Sequence, residues 1–203
     1  TLIAGGAGTV IGAGGNVGED YSDLFDADTS TGVVENASSF TAGTKNLAFF
    51  GGKNFGGSPK SIFKVVVKPQ ASTYGFAQDL ATGTYRNFTV TIQLRGHSSA
   101  PASGTEGTLL GSTSFSINSG AAQSQKTITS SDQSTTFQYV WVYITGTFSQ
   151  PNANTHAYYL LLGDVFLYES EILSGTGALP DLDVSYERPT TCAFYAGRAW
   201  YAG

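Results

Sequence analysis

From Phe88 to Arg95 the chain alternates without a break. Phe88, Val90, Ile92 and Leu94 are apolar, and Thr89, Thr91, Gln93 and Arg95 between them are polar. A period of two puts one set on each face of an extended strand, so this segment is predicted to be a half-buried antiparallel strand. The same period runs through Ser61–Lys68, where Phe63, Val65 and Val67 are expected to face inward and Lys64 and Lys68 outward. It returns at Phe115 and Ile117 and at Lys126–Thr129. Phe137–Thr147 is dense in β-branched and aromatic residues, and Tyr158–Tyr168 reads as one final strand. No segment keeps a 3.6-residue period. About eight strands separated by Gly- and Ser-rich turns predict an all-β chain, a β-sandwich or jelly roll.

Composition narrows what such a chain can do. Charged residues make up 12% and the net charge is −5, with the ten Lys and Arg scattered. No basic face is available to release counterions, so nucleic acid is not an expected partner. The longest apolar run, Ala157–Gly163, is too short to cross a bilayer, so no membrane insertion is expected. The first residues carry no basic signal-peptide region, and synthesis in the cytoplasm is the expectation. A single cysteine, Cys192, allows no intramolecular disulfide.

Three parts are expected. Residues 1–18 alternate Gly with small aliphatics. The glycines lack the strand before and the helix after them that a dinucleotide fingerprint needs. They read instead as an extended arm, lying on the chain's own sheet or on a neighbouring subunit. Residues 19–169 hold the strands. Residues 170–203 begin as a linker, Ser174–Pro180, and end in an aromatic segment with two short strands around Gly197-Arg198, expected to dock on a neighbour.

Catalysis finds little support. His97 and His156 are the only histidines and both lie in polar loops, no Gly-x-Ser-x-Gly elbow occurs, and no nucleophile–base pair can be assembled. The chain is read as a non-enzyme. Between residues 107 and 163 the only charges are Lys126 and Asp132. So neutral a Ser/Thr surface fits a protein held in an assembly.

Three blocks carry a family resemblance. Phe25-Asp-Ala-Asp-Thr-Ser-Thr-Gly32 resembles the first loop of discoidin-like, galactose-binding-like jelly rolls related to coagulation-factor C-type domains. Gly52-Lys-Asn-Phe-Gly56 resembles the next block, and Gln138–Ile144 and Gly163–Glu169 resemble the closing strands. The Ser/Thr-rich style, with Leu109-Leu-Gly-Ser-Thr-Ser-Phe115, is most similar to versions of this domain in tailed-phage structural proteins. The C-terminal Ala193–Gly203 also resembles a phage tail segment.

The resemblance implies a structural Ca2+ under the first loop, with Asp26, Asp28 and Thr31 as oxygen donors and Glu169 returning from the last strand. The alternative is that these side chains cap turns with Asx-type hydrogen bonds. The resemblance also implies ligand loops at one end of the sandwich, with Phe55, Tyr74, Phe76 and His97 as contact residues and Arg86 as a donor. The competing reading makes Phe55 and Phe76 plugs of the core. The expected role is a virion component, tail or tail-appendage associated, touching other virion proteins or its own copies through residues 1–18 and 180–203 and binding a host-surface glycan. A stand-alone carbohydrate-binding module and a capsid decoration protein without ligand are the alternatives.

Overall fold

A computed structural model describes residues 1–40, 43–70, 75–79, 88–117, 123–150, 156–170, 191–195 and 198–202. The chain divides into two units, Thr1–Glu171 and Ile172–Gly203. The first is all-β, as the alternation requires. Its strands are β1 (Thr9–Ala13), β2 (Val33–Phe40), β3 (Gly43–Asn54), β4 (Ile62–Lys68), β5 (Ala77–Asp79), β6 (Phe88–His97), β7 (Thr108–Ile117), β8 (Lys126–Thr129), β9 (Tyr139–Gln150), β10 (His156–Leu162) and β11 (Asp164–Glu169). A short 3-10 turn, Tyr21–Phe25, follows β1. The second unit is a hairpin of β12 (Thr191–Tyr195) and β13 (Arg198–Ala202), in which Cys192 stands opposite Tyr201 and Phe194 opposite Ala199.

One layer of the sandwich is a five-stranded sheet in the order β1-β3-β9-β6-β7. The other is built from two three-stranded sheets, β2-β10-β5 and β11-β4-β8, and every pairing is antiparallel. Alternation in β6 is realised as expected, with Phe88, Val90, Ile92 and Leu94 buried. They meet Val65, Val67, Leu160 and Val165 from the opposite layer in one continuous core. Phe88 and Phe148 of the large sheet and Tyr158 of β10 form an aromatic knot between the layers. Phe88 lies edge-on to Phe148 at 4.7 Å, and Phe148 stacks on Tyr158 at 5.2 Å.

The structure departs from the expected strands in three places. The run expected as one strand, Tyr158–Tyr168, is two, broken at Gly163, because β10 and β11 pair in different sheets. Phe63 is 40% exposed instead of facing the core, and Ile62 takes the inward place. The register between β11 and β4 slips where Tyr168 faces Lys64 but Glu169 faces Ile62, and this bulge turns Phe63 outward. The third departure is the N-terminal segment, which is laid onto its own unit. The Ile3 N–H donates to the Leu167 carbonyl and the Glu169 N–H to that of Thr1, so residues 1–3 line the free edge of β11. Residues 9–13 then pair with β3 from Thr9 opposite Asn54 to Ala13 opposite Phe50. One segment thus covers an open edge in each layer, satisfying backbone groups that would otherwise invite pairing with another chain. The backbone of 1–3 and 9–13 is thus engaged within the unit, one of the two placements expected for residues 1–18.

Candidate functional site

The loop after β1 is placed by close packing. A Cβ on Gly12 would come within 2.1 Å of the Tyr21 ring, so only glycine lets the 3-10 turn lie so close to β1. Asp20 caps that turn through the Ser22 N–H, and Leu24 is fully buried beneath it. Ala27 then takes the left-handed conformation (φ 65°). Asp26 Oδ1 accepts from the Asp28 N–H at 2.8 Å and its Oδ2 from the Thr31 hydroxyl at 3.0 Å. Asp28 Oδ1 accepts from both the N–H and the hydroxyl of Ser30. These are the Asx-type turns foreseen as the alternative to metal binding.

The carboxylate that reaches this loop from the last strand is Asp164, not Glu169. Asp164 opens β11, is fully buried, and accepts the Ala27 N–H on Oδ1 at 3.1 Å. Its Oδ2 is buried with no hydrogen-bond partner. Glu169 sits at the far end of β11, about five residues or ~17 Å of strand away, and pairs with Lys60 at 3.1 Å. A strand fixes which of its ends meets a loop, and composition alone does not. The signal was present: an aspartate, Asp164, stands directly before the apolar run Val165–Leu167. Among the described residues no group of three or more His, Cys, Asp or Glu side chains converges as a metal site.

Burial pushes the Asp164 carboxyl above its ordinary value, with the nearby Asp26 adding to the rise while Lys68 and the Ala27 N–H oppose it. A carboxyl whose folded value is raised binds protons more tightly in the folded chain, so stability falls as pH climbs from the unfolded value through the folded one. In chelator, urea unfolding of the native chain is expected to show this downward limb starting near pH 4, and Asp164→Asn is expected to flatten it. Parallel pH profiles for the two proteins would refute the assignment.

A second candidate is the outer face of the five-stranded sheet. Cross-strand register sets out neighbouring rows there: Asn46, Thr147, Thr89 and Ser116, then Ala48, Thr145, Thr91 and Ser114, then Phe50, Tyr143, Gln93 and Ser112. Neighbours in a row are about 4.8 Å apart, and alternate residues along a strand about 6.8 Å. The Thr91 and Ser114 hydroxyls touch at 3.0 Å, and the Thr147 hydroxyl donates to Asn46 Oδ1 at 3.0 Å. The first two rows carry no charge. Here part of the neutral stretch seen in the sequence joins Thr89 and Thr91 of β6 in a charge-free field of hydroxyls, which can both donate and accept.

At the other end of this face the 98–107 loop folds back over the sheet. Trp141, wholly buried yet outside the core between the layers, donates its indole N–H to the Gly104 carbonyl at 3.0 Å. Phe50 lies beside it, ring centroids 6.3 Å apart. A Cβ on Gly104 would stand 2.2 Å from the Tyr143 ring, so a glycine is needed for the loop to lie flat. Arg95 clamps the far side, giving Nη1 to the carbonyls of Thr105, Glu106 and Gly107 at 2.6–3.3 Å. Arg95→Met is expected to cost about 1.5–3 kcal/mol, the range for hydrogen bonds to a charged group, and to speed proteolytic cleavage within 98–107. An unchanged cleavage rate would show that the clamp does not hold the loop.

Of the ligand residues expected from sequence, the three among the described residues are not gathered into one pocket. Phe55 (8% exposed) and Phe76 (0%) are core plugs. Phe55 follows the Asn54 end of β3, while Phe76 packs edge-on to Phe115 at 5.4 Å, against β7. His97 is half-buried near the strap, its Nδ1 within 2.9 Å of the Ser99 hydroxyl and accepting the Ser99 N–H. Among the described residues no carboxylate is bonded to this imidazole, so the Ser–His contact lacks the acid that orients a catalytic base. Tyr74 and Arg86 lie outside the described residues. Sequence reasoning missed Trp141 and Tyr143, which lie in a strand read there only as dense in apolar residues, and of the hydroxyl rows it saw only Thr89, Thr91 and Gln93.

No family model matches the chain, and no curated protein matches it. Solved structures do resemble it in chain path. They include the family 32 carbohydrate-binding module of Clostridium perfringens NanJ in complex with galactose (12% identity, TM-score 0.48, covering 83% of this chain and 98% of that one). Another is CBM32-3 from a family 31 glycoside hydrolase of the same organism (9%, TM-score 0.49, 83% and 95%). A third is the lectin domain of lectinolysin complexed with Lewis B antigen (11%, TM-score 0.42, 82% and 96%).

Proposed function

We propose that the chain is a non-enzymatic binding module, a carbohydrate-binding-type β-sandwich that serves as a structural component of a bacteriophage virion, with a host-surface glycan as ligand. The observation that carries the reading is the flat, charge-free field of Thr89, Thr91, Thr145, Thr147, Ser114 and Ser116, bounded by Tyr143. A neutral polyhydroxyl ligand takes convergent donors and acceptors beside an aromatic surface, and does not require a charged partner. The virion role is supported by the charge-poor stretch from 107 to 163 and by the resemblance of the Ser/Thr-rich segments and the C-terminal hairpin to tail proteins. Contacts with other virion proteins are assigned to residues 180–203.

Thr89 and Thr147 are both exposed and stand opposite each other. Replacing both with lysine is expected to abolish glycan-array binding while stability stays within about 0.5 kcal/mol for each surface change. Tyr74→Ala tests the loop site that the family resemblance implies. Loss of binding through Tyr74 alone would move the ligand to that loop, and absence of binding to any glycan would leave the decoration role. Mass spectrometry of gradient-purified phage particles tests the virion role, and absence of the chain from them would favour a stand-alone carbohydrate-binding module.

The structural Ca2+ that the family resemblance implies belongs to the same proposal, with Asp164 in the place of Glu169 as its anchor; the Asp26 and Asp28 carboxylates bond their own loop and would have to turn to join it. The unpartnered Asp164 Oδ2, raised in pKa beside Asp26 and Asp28, is the feature a hard cation would satisfy. Ca2+ is expected to raise the melting temperature and EDTA to lower it. A melting temperature indifferent to both would remove the ion.

A further inference from the structure

Lys53 lies on the face of β3 turned into the molecule and is only 3% exposed. A buried ammonium is ordinarily paired with a carboxylate, since its lost hydration is costly. None lies within ion-pair reach of Lys53 among the described residues, and burial alone draws its pKa down with no charge opposing it. What the ammonium has instead is the Gly5 carbonyl, to which it donates, and the Phe25 ring, whose centroid is 4.3 Å away. An ammonium carries three donors, and these contacts leave its positive charge uncompensated.

Both contacts are walls of a cavity of about 130 Å3 that Lys53 itself lines. Its other walls are apolar: Leu2, Ile3, Val165 and Leu167. The roof is the N-terminal segment, held to β11 by the Ile3 N–H bond to Leu167. An apolar cavity of about 150 Å3 accommodates a molecule the size of benzene, so the space suits roughly four to six heavy atoms.

The geometry points to a binding site for a small aliphatic monocarboxylate, its carboxylate paired with the Lys53 ammonium and its short tail against Leu2, Ile3, Val165 and Leu167. A single buried cation matches a single negative charge. The apolar walls supply none of the extra donors that a phosphate or sulfate would require. The site is separate from the hydroxyl face and does not depend on the glycan reading.

The test is an NMR titration of the full chain with acetate, propionate, butyrate, isovalerate and octanoate, with isobutanol as the neutral control. Saturable shifts at the Ile3 and Leu167 amides and slower exchange of the Ile3 amide are expected. Affinity should peak at two to four carbons, fall for isovalerate and octanoate, and be absent for isobutanol. Lys53→Met, which keeps most of the lysine stem without its ammonium, is expected to weaken binding at least tenfold. If Lys53→Met does not fold, the chain-length profile and the alcohol control on the native chain decide. No saturable shift with any acid, equal binding of isobutanol, or undiminished binding by a folded Lys53→Met protein overturns the assignment.

Discussion

Trp141→Ala is expected to destabilise the sandwich unit by about 3–5 kcal/mol, the range for deleting a fully buried large aromatic side chain. Two losses combine. The indole leaves a void beside Phe50, and the Gly104 carbonyl loses the N–H that fastens the loop. Because Trp141 lies on the outer face and not in the core between the layers, the damage should begin locally. Cleavage in 98–107 should become fast under conditions where the rest of the sheet still resists protease. Trp141→Phe, which keeps most of the ring but not the N–H, should lose less and separate packing from the hydrogen bond. Denaturant unfolding with limited proteolysis reads both. A Trp141→Ala protein within 1 kcal/mol of the native chain by order of magnitude would mean the strap is an ornament of the sheet.

Phe148→Ala should cost a similar ~3–5 kcal/mol, but with a different character. Phe148 is fully buried and touches both Phe88 of its own sheet and Tyr158 of the opposite layer. Its removal opens a cavity between the layers, so the loss should appear as one cooperative shift of the whole transition, with no early cleavage in the strap. Phe148→Leu, which refills part of the space, should recover a good share. Near-native stability for Phe148→Ala would show that the two layers close over the gap, and equal losses for Ala and Leu would show that ring geometry matters more than volume.

The Asp164 pH limb described above is smaller in effect but bears most directly on the cation proposal. A bound divalent cation reverses its sign, since the ionised carboxylate then becomes the favoured form.

The candidate sites were legible only in part. Asp26, Asp28 and Thr31 were pointed to by the family resemblance of their loop, and the Asx-type hydrogen bonds they make are local enough to be foreseen from the sequence. Asp164 was missed for Glu169 because the choice depends on which end of β11 passes the loop, a matter of chain path. Phe55 and Phe76 looked like ligand contacts because glycine and polar residues surround them, yet an aromatic in a loop gains more by turning into the core. The hydroxyl face could be seen in β6 alone, as Thr89, Thr91 and Gln93. Its extent became visible only when register set Thr145, Thr147, Ser114 and Ser116 beside them.

What the sequence determined by itself is the material of the fold: extended strands from period two, turns from glycine, and a surface poor in charge. Those are local properties, set by the backbone and by which side chains can leave water. Tertiary structure alone decided where each strand's partner lies. Gly163 divides one apolar run between two sheets, and residues 1–3 and 9–13 close the edges of β11 and β3. Trp141 is buried under a loop on the face that alternation assigns to solvent. Periodicity tells a residue which side of its strand it occupies. It does not say whether that side meets water, another sheet or the chain's own returning loop, because that depends on contacts between residues far apart in the chain.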